Sequence, residues 1–128
     1  MTDVVELISA NAFDPTVRRI AEAIEKAGLT IFARIDHAAA AKAAGLEMPP
    51  TIVLIYGNAR GGTPVMLAAP NAALELPLRV LIRADAAGAV YVVYRAIAET
   101  LRGAGVGTEM AARLEPAQRL IADAARGD

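Results

Sequence analysis

The spacing of hydrophobic positions along this chain changes several times, and each change marks an element. Val4 to Ile8 is a short apolar run that reads as a strand. Asn11 to Asp14 turns the chain. Asp14-Pro15 then carries a helix-start signal, because Asp caps free N–H groups and proline at the first helical position forfeits nothing. Val17, Ile20, Ala21 and Ile24 follow at helical spacing, with Arg18, Glu22 and Lys26 along the opposite face. Gly28 predicts a left-handed end. From Leu29 to Ile35 the period falls to two. Leu29, Ile31, Ala33 and Ile35 point one way and Thr30, Phe32 and Arg34 the other, the pattern of a half-buried strand. Asp36 predicts the cap of a short alanine-rich helix, His37 to Ala44, closed by Gly45.

Met48-Pro49-Pro50 predicts an extended connector. Thr51 to Tyr56 is apolar on both faces and reads as a central strand. Gly57 to Gly62 reads as a loop. Thr63-Pro64 repeats the cap-then-proline signal and predicts a helix through about Ala69, interrupted at Pro70-Asn71 with a further helical turn behind it. Leu78–Ala84 and Ala89–Tyr94 predict a β-hairpin, with Gly88 where the turn needs positive φ. Ala96–Arg102 is helical and Gly103–Gly107 is a break. Thr108 is the expected cap of a last helical region over 108–126, where Pro116 either kinks the helix or starts a new one. The order is β-α-β-α-β-α-β-β-α-α. The hairpin argues against a purely parallel sheet. The expected fold is α+β: two layers, with helices packed on a mixed or antiparallel sheet, and residues 1–128 as one domain.

Composition removes several classes of function. Cysteine is absent, so no disulfide framework, thiolate metal site or cysteine nucleophile exists. Thirteen basic and 14 acidic residues are scattered rather than clustered, and aromatics are few, which argues against nucleic acid as a partner. A mean hydropathy of +0.40 comes mostly from alanine. The longest charge-free run, Gly61 to Leu74, is too short to span a bilayer and contains Pro64 and Pro70, so no membrane role is expected. Asp3 and Glu6 argue against a signal peptide, and the expected compartment is the cytoplasm. Ser9 and His37 each occur alone, and no nucleophile-elbow sequence surrounds Ser9. One chain cannot supply several His or Cys ligands to zinc, and its carboxylates are dispersed. No Walker loop or dinucleotide-binding glycine motif is present, so no cofactor is indicated.

Two short segments keep chemical interest. Asp36-His37 lies where a strand becomes a helix. A helix N-terminus disfavours imidazolium, and a neutral imidazole serves as base, ligand or acceptor. The plainer alternative has Asp36 capping and His37 facing water. Gly57, Asn58, Arg60, Gly62 and Thr63 form the loop between a central strand and a helix. There, free backbone N–H groups and the Arg60 guanidinium would suit a small anion. The alternative is a turn with Thr63 as its cap. Tyr94 and Tyr56 sit at expected strand ends and would add hydroxyls to the same cleft. These residues give three readings. The first is a module binding a small anionic ligand or metal near His37 and the 57–63 loop. The second is a homodimeric interaction module. The third is an enzyme using His37 as acid or base. A dimer would also allow two His37 side chains to share a metal ion.

Four segments in one order carry a resemblance. They are Arg34-Ile35-Asp36-His37-Ala38-Ala39-Ala40-Ala41 with Ala44-Gly45-Leu46; Tyr56-Gly57-Asn58 with Gly62-Thr63-Pro64-Val65-Met66; Leu76-Pro77-Leu78-Arg79-Val80-Leu81; and Val93-Tyr94. Together they resemble the bacterial and archaeal domain-of-unknown-function family 302 (DUF302) over residues 13–102. The resemblance implies a two-layer α+β fold and self-association as a homodimer, and it carries over no catalytic residue. The chain departs from the family pattern at Ala59, where proline usually follows the asparagine.

Overall fold

A computed structural model describes residues 3–127 of the protein. Its elements are β1 (Val4–Ile8), α1 (Phe13–Lys26), β2 (Thr30–Asp36), α2 (His37–Ala43), β3 (Thr51–Gly57), α3 (Ala59–Ala68), a 3-10 turn (Pro70–Glu75), β4 (Leu78–Ala84), β5 (Val90–Arg95), α4 (Ile97–Gly103), α5 (Thr108–Ala112) and α6 (Glu115–Arg126). The strands form one sheet in the order β1-β5-β4-β3-β2, antiparallel throughout. The fold is α+β, and the element order follows the hydrophobic pattern of the sequence.

One face of the sheet makes the core. Ile52, Leu54 and Tyr56 of β3, Leu78, Val80 and Ile82 of β4, and Val90 and Val92 of β5 alternate inward and are buried. Val17, Ile20 and Ile24 of α1 and Ile121, Ala124 and Ala125 of α6 meet them from the helical layer. The hairpin turn is held by Asp85, whose carboxylate accepts from Ala87 N at 3.0 Å and Ala89 N at 2.9 Å, and by Gly88 at φ +91°. Residues opposite one another in an antiparallel ladder share a face. The other face therefore carries Ile35, Val53, Leu81 and Val93 in one continuous row. Arg83 lies over the Tyr91 ring at 4.5 Å beside that row and reaches Glu6 at 3.2 Å.

Four local expectations change. Helix α1 starts at Phe13, and Asp14 lies in its first turn instead of capping it; the buried Thr16 hydroxyl bonds back to Ala12 O at 2.7 Å and to Ser9 Oγ at 2.6 Å, fixing the entry. Helix α3 starts at Ala59, four residues before Thr63, because Asn58 rather than Thr63 supplies the cap. Thr108 lies inside α5 without a capping bond, and Pro116 begins α6 as a separate helix. Strand β2 is not half-buried. A register shift between Ile31 and Ala33 makes Phe32 an extra residue, so Ile31 stands opposite Tyr56 while Ala33 stands opposite Ile55, on the other face. Helix α2, capped by Asp36 through Ala39 N at 2.9 Å as the sequence predicts, buries none of its residues and leaves β2 uncovered.

Candidate functional site

The site is built from the end of β3. Tyr56 is fully buried there, and its hydroxyl donates to Ala117 O of α6 at 3.0 Å. That bond ties the strand end to the C-terminal helix across the core. Burial pushes the Tyr56 phenol well above its ordinary value of 10.0, so it stays a neutral donor. Beyond Tyr56 the chain turns at Gly57 and Asn58. Asn58 has extended backbone, and its side-chain oxygen accepts from Gly61 N at 2.7 Å, satisfying one of the free donors at the start of α3. Gly61 lets the start of α3 settle against Leu114, the residue before α6: a Cβ at this position would stand 3.1 Å from both Asn58 Oδ1 and Leu114 Cδ2.

A cavity of about 270 Å³ opens beside this turn. Leu29 and Phe32 contribute from the β2 side, and Gly62, Thr63 and Met66 from α3. Leu76 and Pro77 contribute from the segment before β4, and Leu114 and Ala117 from the C-terminal helices. Among the described residues, Asn58 and Thr63 are the only polar side chains in the lining, and none of the lining residues is titratable. An apolar wall with few polar groups suits a small molecule with an apolar body.

The residues singled out from sequence divide into four places. Gly57, Asn58, Gly62 and Thr63 line this cavity. Arg60 is exposed on the first turn of α3 and does not. Asp36 and His37 lie at the opposite end of the β2–β3 ladder, because Thr30 pairs with Gly57 and Asp36 with Ile52. Five steps along β3, from Ile52 to Gly57, separate them from the loop by about 17 Å at roughly 3.3 Å per residue. Asp36 lines a separate hollow with Arg34, Leu46 and Met48, and His37 is exposed. Tyr94 is half-buried opposite Val5, two strands from β3, and its phenol is raised by burial. The composite of His37, Tyr94 and the loop is therefore not assembled within one chain. Among the described residues, no three His, Cys, Asp or Glu side chains come together as a metal site. The sequence reading did not name Leu29, Phe32, Leu76, Pro77, Leu114 or Ala117 as site residues. Phe32 reaches the cavity from the register shift in β2, which the two-residue alternation did not show.

Comparison with known proteins bears on the whole chain. The family profile described as "Domain of unknown function DUF302" matches residues 5–125, past both ends of the span carried by the four motifs. A crystal structure of an uncharacterized conserved DUF302 protein from Bacillus stearothermophilus superposes with a TM-score of 0.86 over 98% of this chain and 100% of that one. Their sequence identity is 15%, so this likeness concerns the fold. Two curated proteins named fluoride-specific ion channel FluC 1, from Brucella suis biovar 1 and Brucella abortus biovar 1, are each 38% identical to this chain over 87 residues. The match covers 68% of this chain but only 34% and 32% of those proteins, about a third of their length. No helix among the described residues is long and apolar enough to cross a membrane. On the profile match across nearly its full length, the chain belongs to the DUF302 family.

Proposed function

We propose that this domain is a cytoplasmic, self-associating module that binds a small, mainly apolar molecule in the cavity at the β3–α3 turn. The observation that carries the reading is the lining. It is apolar except for Asn58 and Thr63 and contains no charged side chain, so it favours an apolar body with one neutral polar group over a free anion or a metal ion. An acid–base reaction in this cavity would need a titratable side chain in its wall, and the lining supplies none, which ranks binding above catalysis. The Brucella proteins, named fluoride-specific ion channels, carry a segment similar to this chain within a longer polypeptide. Ion conduction is no part of the proposal for this chain.

The test is a fluorescence titration with N-phenyl-1-naphthylamine, a neutral apolar probe. Wild type is expected to give saturable enhancement with one site per chain. Met66→Trp, which places a larger side chain in the cavity, is expected to lose it while keeping the far-ultraviolet circular dichroism of wild type. Equal binding by both proteins would overturn the placement, and absence of saturable binding to wild type would overturn the function.

A further inference from the structure

The window from Thr30 to Pro50 is unlike the rest of the molecule. Almost every residue in it is exposed, although it includes a strand and a helix. Four large apolar side chains are uncovered there: Phe32 at 55% exposure, Ile35 at 42%, Leu46 at 65% and Met48 at 42%. β2 is also an edge strand, so one side of its backbone offers donors and acceptors to a further strand. We propose that the end of β2 pairs antiparallel with the same segment of a second copy of this chain, about a two-fold axis at Ile35, through a short ladder of Arg34, Ile35 and Asp36 that ends where α2 begins at His37. The proposal deepens the self-association part of the proposed function and shares only Phe32 with the cavity.

The choice of occupant and register follows from charge. A two-fold axis at Ile35 sets Arg34 opposite Asp36 of the second copy, and Asp36 opposite its Arg34. Two opposite-charge cross-strand pairs then flank an Ile35–Ile35 contact. Arg34 and Asp36 share a face, since their partners Leu54 and Ile52 both point into the core layer. Ile35 lies on the other face, where it would extend the row Ile35–Val53–Leu81–Val93 across both subunits. Moving the axis to Arg34 would oppose two guanidinium groups. The other sheet edge offers no comparable match. In β1 the only charge is Glu6, so every symmetric register sets it against its own copy or an apolar residue. Arg34 and Asp36 line one hollow with Leu46, Met48, Asp14 of α1 and Ile52 of β3, on the helical side of the sheet.

The experiment is light scattering coupled to size-exclusion chromatography across a dilution series, on wild type, Arg34→Glu, Asp36→Lys and an equimolar mixture of the two variants. Wild type is expected to be a dimer. Arg34→Glu opposes two carboxylates at each flank and Asp36→Lys opposes two cations, so each alone is expected to raise the dimer dissociation constant by more than about tenfold. The mixture restores an opposite-charge pair at both flanks and is expected to recover dimer, read as a heterodimer by native mass spectrometry. Asp36→Lys also removes the cap of α2, so Asp36→Asn serves as a second variant that keeps a capping oxygen and loses the charge; weaker dimerisation is expected of it too. A monomeric wild type overturns both this interface and self-association. A wild-type dimer unaffected by these variants, or a mixture that fails to recover dimer, overturns this interface alone.

Discussion

Gly61 and Gly62 are adjacent in the same helical turn, yet alanine in their places is expected to act with opposite signs. In a helix interior alanine is favoured over glycine by about 1 kcal/mol, so each substitution begins with the same gain. At Gly62 the new methyl would meet Met66 Cε at 3.7 Å and Leu76 Cδ1 at 3.8 Å, ordinary contact distances, so the gain is kept. At Gly61 it would stand 3.1 Å from Asn58 Oδ1 and Leu114 Cδ2. Overpacking of this kind costs about 1–3 kcal/mol, and displacing the Asn58 oxygen costs about 1 kcal/mol of capping. Gly62→Ala should therefore stabilise by about 1 kcal/mol and Gly61→Ala should destabilise by about 1–3 kcal/mol. For a chain of this length the melting temperature should rise by about 4 °C in the first and fall by about 4–12 °C in the second. Urea denaturation followed by circular dichroism gives the free energies directly. Two variants of equal stability, or a destabilised Gly62→Ala, would refute the packing of the start of α3 against Leu114 described above.

The cap assignment is tested by a pair of substitutions: Asn58→Ala should lose about 1 kcal/mol, whereas Thr63→Ala should stay within about 0.5 kcal/mol of wild type in the same urea assay. Tyr56→Phe removes a hydroxyl that donates to Ala117 O and should lose about 1 kcal/mol at neutral pH. The sign of its pH dependence is fixed by the raised phenol. The contribution is fully present below pH 10.0, the ordinary value, and is lost as pH rises above it, because the unfolded chain releases the Tyr56 proton first. Wild type should accordingly lose stability more steeply than Tyr56→Phe above pH 10.0 in a denaturation series; parallel curves would count against it.

Local signals in the sequence carried much of the fold. Asp36 as a cap, Gly28 and Gly88 at positive φ, and the two-residue alternation of β4 and β5 are decided by nearest neighbours, and the structure has each of them. The start of α3 was not legible in the same way. Asn58 and Thr63 are both good capping residues, and the choice depends on how α3 meets Leu114, far along the chain. β2 misled for a related reason. Its alternation looked like a half-buried strand, but burial needs a covering element, and α2 packs without covering it. The cavity was legible only in its loop half. Gly57, Asn58, Gly62 and Thr63 are contiguous in sequence, whereas Leu29, Leu76 and Leu114 reach them only through the folded layers. His37 drew attention as the single histidine, but the antiparallel register of β2 and β3 carries it to the far end of the sheet.

The most direct measurement of the central claim is a ¹H–¹⁵N correlation titration of the uniformly labelled protein with 1-hexanol and benzyl alcohol, set beside sodium phosphate and sodium fluoride. The two alcohols should give saturable shifts confined to the amides of Gly57, Asn58, Gly62, Thr63, Met66 and Leu76, and the two salts should leave those amides in place. Saturable shifts with phosphate or fluoride at this loop, or alcohol shifts centred anywhere else, would contradict an apolar ligand site at the β3–α3 turn.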